Sequence, residues 1–279
     1  MKSIPVILLT SLLLLTAAPS PSAFAACEPA ASSTDAANVG PLNVEVGGLR
    51  RVFIVRKSSS IDPRTPAPVV FVFHPFGMSA QYMESRVSTR FWPGAIMVYP
   101  EGASRPGAGY QPSWQGSAGE LGDRDLLFFD ALVTWLKAQH CIDERRLFAF
   151  GYSNGASFAG LLACERADRI AGLAIASGRL PCAPAVPKPV AIAHGLNDST
   201  APYTEGVRLA TTWAKQNGCK APPKVGTPGC VEASGCATAT PVLMCTSPGG
   251  HEYSAAFTRP ALEMFQRVGD AGADAPACK

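Results

Sequence analysis

Five residues, Gly151-Tyr152-Ser153-Asn154-Gly155, constrain the fold of this chain more than any other segment. They follow the apolar run 147–150 and precede residues 154–166, which read as a helix. A strand that becomes a helix across G-x-S-x-G must turn very tightly. Residues beside the serine must then be small, hence glycine at both ends, and the hydroxyl is pushed out above the sheet. The new helix aims free N–H groups and its positive dipole end at the place where a reacting carbonyl would sit. Ser153 is therefore expected to be a nucleophile, the alternative being an ordinary glycine-flanked turn serine.

The rest of the chain supplies the context that such a turn needs. Residues 42–46 and 51–55 read as an antiparallel pair around Gly47-Gly48. The unbroken β-branched and aromatic run 69–73 suits a strand buried on both faces, as do 95–99, 147–150, 172–176 and 190–193. Phe128, Ala131, Leu132, Trp135 and Leu136 have helical spacing, and helices are also expected over 154–166, 206–217 and 260–267. Strands alternating with helices predict the α/β class: a mostly parallel central sheet with helices on both faces. Sites in such sheets form in loops beyond the carboxyl ends of the strands.

A serine nucleophile needs a base, and the four histidines can be weighed one by one. His140 stands at a helix end beside Cys141. His74 precedes the serine. His194 and His251 both follow it, and in the order serine, acid, histidine only His251 leaves room for a well-placed acid. Asp198 is the only aspartate between Asp168 and His251, and it sits in a loop after the run 190–193. Glu205 reads as opening a helix, and Glu232 lies in a cysteine-rich stretch. The expected set is Ser153, Asp198 and His251, with His194 bracing the acid loop.

An oxyanion needs two donors. One is the N–H of Asn154, immediately after the serine. The other should come from His74-Pro75-Phe76-Gly77, where Pro75 has no N–H to give. Phe76 is the first choice and Gly77 the second. Trp114, in a Gly/Pro-rich loop, is a candidate for stacking on substrate or for covering the edge of the core.

Composition narrows the class further. The chain is 47% hydrophobic and 16% charged with a net charge of +3, too little and too scattered for an electrostatic nucleic-acid binder. Residues 1–25 read as a signal peptide: Lys2, the apolar stretch 4–18, and Ala23-Phe24-Ala25 as a cleavage site. The stretch is too short to span a membrane. Secretion or periplasmic location is expected, with cleavage after Ala25 and residues 26–279 as a single catalytic domain. Lipidation at Cys27 is the lesser alternative. Nine cysteines without C-x-x-C spacing point to disulfides rather than to metal, and Cys219, Cys230, Cys236 and Cys245 are expected to staple their own Gly/Pro-rich stretch.

Taken in order, these pieces resemble the secreted feruloyl esterase and poly(3-hydroxybutyrate) depolymerase family of α/β-hydrolases, in the esterase group that includes acetylxylan esterases. The resemblance spans roughly residues 45–267. It rests on Phe73-His74-Pro75-Phe76-Gly77, Tyr99-Pro100-Glu101-Gly102, residues 125–136, Cys141-Ile142-Asp143, the Ser153 pentapeptide, Leu162-Ala163-Cys164-Glu165, His194-Gly195 with Asp198, and Gly249-Gly250-His251. Pro75 and Ala156 stand where the family usually has glycine. The resemblance implies a three-layer α/β-hydrolase sandwich and a serine esterase working through an acyl-enzyme, chiefly on feruloyl esters of plant walls. It implies no cofactor and no metal, with the ester substrate as the partner. Polyhydroxyalkanoate depolymerase and acetylxylan esterase are the alternative activities. A secreted binding protein on an inactive hydrolase scaffold is the non-enzyme alternative.

Overall fold

The apolar runs of the sequence become the strands of one sheet. The computed structural model describes residues 38, 40–105, 107 and 109–273, so the expected leader, its cleavage site, Cys27 and Cys278 lie outside the described residues. In chain order the strands are β1 (Leu42–Val46), β2 (Leu49–Arg56), β3 (Ala67–Phe73), β4 (Ile96–Pro100), β5 (Ile142–Tyr152), β6 (Gly172–Ala176), β7 (Val190–Gly195), β8 (Gly229–Glu232) and β9 (Val242–Ser247). Their spatial order is β1-β2-β4-β3-β5-β6-β7-β9-β8. The six from β4 to β9 in that order are parallel, while β1, β2 and β8 add antiparallel edges.

Alternation within the strands builds two cores. Phe71 and Phe73 of β3 face one side with Phe53 and Leu147, and Val70 and Val72 face the other with Phe148 and Phe150. The first side is covered by α2 (Arg124–Gln139), α3 (Asn154–Glu165) and α4 (Tyr203–Gln216); the second by α1 (Ala80–Glu84) and α5 (Thr258–Ala273). This is the three-layer α/β-hydrolase arrangement expected from the sequence. In α2 the buried stripe is Leu126, Phe128, Phe129, Leu132, Val133 and Leu136. It is rotated from the expected one, and Trp135 lies at its margin with its ring 5.0 Å from that of Phe53.

The chain reverses direction across the sheet between β3 and β5. From β3 it crosses to β4 on one side, and from β5 it proceeds to β6 on the other. The loops leaving β3 and β5 therefore diverge and open a crevice at the carboxyl ends of the strands.

The cysteine-rich stretch is more ordered than its composition suggests. Its segment β8 shows no apolar alternation and is exposed throughout, yet it pairs with β9 with Cys230 opposite Cys245. A disulfide joins those two residues, a second joins Cys219 to Cys236, and a third joins Cys164 to Cys182. Among the described residues no helix is long and apolar enough to cross a membrane.

Candidate active site

Ser153 stands between β5 and α3 with φ +55° and ψ −119°, a conformation that L-residues rarely adopt. The packing around it leaves no other option. A Cβ on Gly151 would run into the backbone of Gly155, and one on Gly155 would run into the carbonyls of Phe73 and His74. Ala156 is fully buried, and its methyl group is accommodated because Gly178 faces it.

Asp198 and His251 arrive from adjacent parallel strands, β7 and β9. Their following loops are stitched together by Leu196 N–H to the Ser247 carbonyl (2.9 Å), Asn197 N–H to the Gly249 carbonyl (3.0 Å) and the Asn197 amide to the Pro248 carbonyl (2.7 Å). Gly195 packs so closely on Gly249 and Gly250 that a side chain there would collide with their carbonyls. The outcome is a continuous relay. Ser153 Oγ lies 2.8 Å from His251 Nε2, and His251 Nδ1 lies 2.8 Å from Asp198 Oδ2. The structure thus brings together the three residues singled out in the sequence. Tyr152 secures His251 by donating its hydroxyl to the His251 carbonyl at 3.0 Å.

Asp198 is buried, which raises its pKa. That effect is outweighed by the N–H of Ala201 (2.8 Å), by His251 and by the Ser177 hydroxyl, so the carboxyl stays below the ordinary range. Its Oδ1 also accepts from Thr200 N–H at 3.0 Å. His194 braces this loop: its Nε2 lies 2.7 Å from the Ala201 carbonyl and 3.4 Å from Asp198 Oδ2.

The loop after β3 supplies the opposite wall. Gly77 N–H is consumed by the Pro112 carbonyl at 2.8 Å, whereas Phe76 N–H and Asn154 N–H have no acceptor among the described residues. The Phe76 side chain is 56% exposed at the rim.

Trp114 takes the role of support rather than of substrate contact. It is 2% exposed and lies between Phe73 and Phe158, with its indole N–H on the His74 carbonyl at 2.9 Å. The expectation that it could stack on substrate is corrected on that ground: its ring faces the core beneath the loop. The Asn154 side chain grips the Trp114 backbone, accepting from its N–H (2.8 Å) and donating to its carbonyl (3.1 Å). His74, buried, donates from Nδ1 to the Pro75 carbonyl and accepts Gly102 N–H at Nε2, each at 2.8 Å.

Three residues of this support were not singled out from the sequence. Arg51 and Asp125 form a buried ion pair at 2.8 Å, and Asp125 Oδ2 accepts Gln115 N–H at 2.8 Å while the Gln115 side-chain oxygen accepts Asp125 N–H at 2.9 Å. Gln115 adjoins Trp114, so the pair anchors the loop that holds the oxyanion wall. A buried arginine and aspartate 74 residues apart carry no local pattern.

Two depressions meet at Ser153, His251 and Thr200. One, of about 420 Å³, extends past Ser157, Arg179, Pro181 and Arg208. The other, of about 530 Å³, is bordered by Phe76, Tyr82, Arg86, Tyr152 and Tyr253. Among the described residues no group of three or more His, Cys, Asp or Glu side chains is placed to hold a metal ion.

No family model matches the chain. Its sequence is 29% identical over 220 residues to feruloyl esterase C of Emericella nidulans, covering 72% of this chain and 76% of that protein. It is 27% identical over 262 residues to feruloyl esterase D of Neurospora crassa, covering 87% and 88%. The chain is similar to feruloyl esterases in sequence and shares the α/β-hydrolase fold. It is accordingly a carboxylic ester hydrolase. The fold of this esterase is shared with the acetyl xylan esterase of Aspergillus awamori, with a TM-score of 0.63 at 15% identity over 82% of this chain and 100% of that one. It is shared as well with a ferulic acid esterase of Anaeromyces mucronatus solved with ferulic acid, with a TM-score of 0.57 at 15% identity over 84% and 93%.

Proposed function

We propose that this esterase is exported and hydrolyses hydroxycinnamoyl esters, chiefly feruloyl esters of plant-wall polysaccharide, with Ser153 as nucleophile, His251 as general base and Asp198 as its orienting acid. The observation that carries the reading is the unbroken relay from Ser153 Oγ through both nitrogens of His251 to Asp198. For Nε2 to accept the serine proton, Nδ1 must carry hydrogen, and the Asp198 carboxylate favours that tautomer. Proton transfer to Nε2 frees Oγ to attack the ester carbonyl. The oxyanion then falls to the N–H groups of Asn154 and Phe76, which have no other acceptor among the described residues. Asp198 balances the imidazolium, His251 returns its proton to the departing alcohol, and water repeats the cycle on the acyl-enzyme.

Two further features support the substrate and the location. The tyrosine-bordered depression offers an aromatic lining to a phenolic acyl group, and both relatives compared by sequence are feruloyl esterases. The three disulfides among the described residues suit an oxidising compartment, as does the leader-like segment 1–25 with cleavage after Ala25 and 26–279 as the catalytic domain.

The test is a side-by-side assay of the mature chain on methyl ferulate, 4-nitrophenyl acetate, 4-nitrophenyl butyrate and a 3-hydroxybutyrate oligomer, with Ser153→Ala as blank. A preference for methyl ferulate is expected. Preference for the oligomer would replace the substrate assignment, and equal rates for Ser153→Ala and the parent would overturn the assignment of the nucleophile.

A further inference from the structure

The two depressions flanking Ser153 differ in charge. The one bordered by tyrosines contains Arg86 and Glu252, one residue of each sign. The other is lined by Arg179 and Arg208, and no carboxylate lines it. Arg208 is paired with Glu205 one turn away on α4 at 2.8 Å, a half-exposed contact that solvent screens strongly. Arg179 has no carboxylate partner among the described residues. The N-terminus of α3, with the free Asn154 N–H, opens on the same side and adds to the positive potential.

The backbone that carries Arg179 is fixed although its side chain is exposed. Its N–H donates to Ser157 Oγ at 3.1 Å. Its carbonyl lies over Gly160, where an added Cβ would come within 2.9 Å of it. Leu180 is buried in the core, and Cys182 is bonded to Cys164 of α3. An unpaired guanidinium on a fixed backbone, in the same depression as the nucleophile, pays only the ordering of its own side chain on meeting an anion. Guanidinium suits a carboxylate best, because two parallel N–H···O bonds fit its planar fork.

We propose that this depression is an anion subsite, in which Arg179, seconded by Arg208, receives a carboxylate carried by one arm of the ester substrate. The preferred substrates are then acidic esters: esters of a hydroxy acid, with the carboxylate on the alcohol arm, or half-esters of a diacid, with it on the acyl arm. The inference rests on the esterase reading above and adds to it which esters are favoured.

The experiment compares matched pairs that differ only in charge. Carboxymethyl ferulate against carbamoylmethyl ferulate tests the alcohol arm, and monomethyl succinate against methyl succinamate tests the acyl arm. At low ionic strength the parent enzyme is expected to favour the carboxylate in one pair. Arg179→Gln should cut that carboxylate-to-amide ratio of kcat/KM by about five- to tenfold, mostly through KM. Added salt should act in the same direction, and Arg64→Gln, on a remote exposed loop, should leave the ratio alone. The pair that responds identifies the arm. A parent ratio of one or less in both pairs, or a ratio that Arg179→Gln does not lower, overturns the proposal. Calorimetric binding of carboxymethyl ferulate, carbamoylmethyl ferulate, monomethyl succinate and methyl succinamate to Ser153→Ala, with and without Arg179→Gln, reads the subsite without turnover. Failure of the subsite is thereby distinguished from failure of the esterase reading, which shows as inactivity of the parent on every ester.

Discussion

The indole N–H of Trp114 donates to the carbonyl of His74 at 2.9 Å, so a buried ring determines where the Pro75-Phe76 segment runs. Trp114→Phe keeps most of the ring packing and removes only this donor. The His74 carbonyl is then left short of a partner, and the Phe76 N–H loses its fixed position. Complete loss of an oxyanion donor costs about 10²–10³ in turnover, so a displaced one is expected to cost about tenfold in kcat. KM for 4-nitrophenyl acetate and for methyl ferulate should change little. A selective rise in KM for the ferulate, with kcat intact, would instead mean that the indole touches the substrate.

His74 links the same loop to pH. Burial holds its pKa below the ordinary value, against the pull of the Pro75 carbonyl and of the carboxylates of Glu101 and Asp125. The folded protein thus keeps the imidazole neutral, with Nε2 accepting from Gly102 N–H. In the unfolded chain it takes a proton near about pH 6.5. Below that pH the unfolded state binds more protons, so stability is complete above about 6.5 and falls as pH drops toward the depressed folded value. Urea unfolding at pH 7.5 and 5.5 should show this fall in the parent, and a smaller fall in His74→Asn. An equal slope in both proteins would assign the effect to another group. Asp198 acts in the same direction at lower pH: its depressed pKa adds stability above the usual carboxylate range, which is lost as pH falls through the folded value.

The strained turn at Ser153 makes a prediction that separates stability from activity. Conformations of this kind cost about 1–3 kcal/mol in a residue with a side chain, and glycine tolerates them. Ser153→Ala and Ser153→Gly should both be inactive, with the glycine variant more stable than the alanine variant by about 1 kcal/mol in chemical denaturation. A glycine variant less stable than the alanine one would mean that the turn is relaxed. Asp198→Asn is expected to fold and to lose about 10⁴ in kcat through the wrong imidazole tautomer, by analogy with the serine-protease triad. Near-parental turnover in that variant would remove Asp198 from the relay.

The sequence was most informative where chemistry depends on local geometry. The elbow was legible because Gly151 answers a clash with Gly155 within the turn itself, and Gly155 follows at fixed spacing where the turn meets the end of β3. The grouping of Asp198 and His251 with Ser153 was legible because few candidates follow Ser153 in the required order. The buried strands 69–73 and 172–176 announced themselves by unbroken apolar runs. Strand β8 did not, because its four residues are all exposed and its pairing comes from β9 and the Cys230–Cys245 bond. Trp114 was ambiguous for a related reason: an aromatic residue in a Gly/Pro-rich loop reads alike whether it faces solvent or folds under. What resolved it was contact with His74, Phe158 and Asn154, all about 40 residues away in the chain.

The last link of that support is the Arg51–Asp125 pair, which lies deep enough that its loss should be felt in folding and in catalysis alike. Both side chains are nearly inaccessible, at 2% and 0%. Arg51 also donates to the carbonyls of Arg124 (3.1 Å) and Glu101 (3.2 Å), so its charge is well satisfied in place. Asp125→Ala would strand a buried guanidinium and free the Gln115 N–H, and removal of one partner of such a pair costs about 3–5 kcal/mol. Asp125→Asn keeps an acceptor for one of the two donors but loses the charge, and should fall between the alanine variant and the parent. If the loop acts through Trp114, the surviving folded fraction of Asp125→Ala should also show a lower kcat, with KM for 4-nitrophenyl acetate little altered. Urea unfolding and active-site titration with a fluorophosphonate give the two readings separately. A loss under 1 kcal/mol in Asp125→Ala would show that the pair is replaceable, and normal kcat per titrated site would show that the loop keeps its place without it.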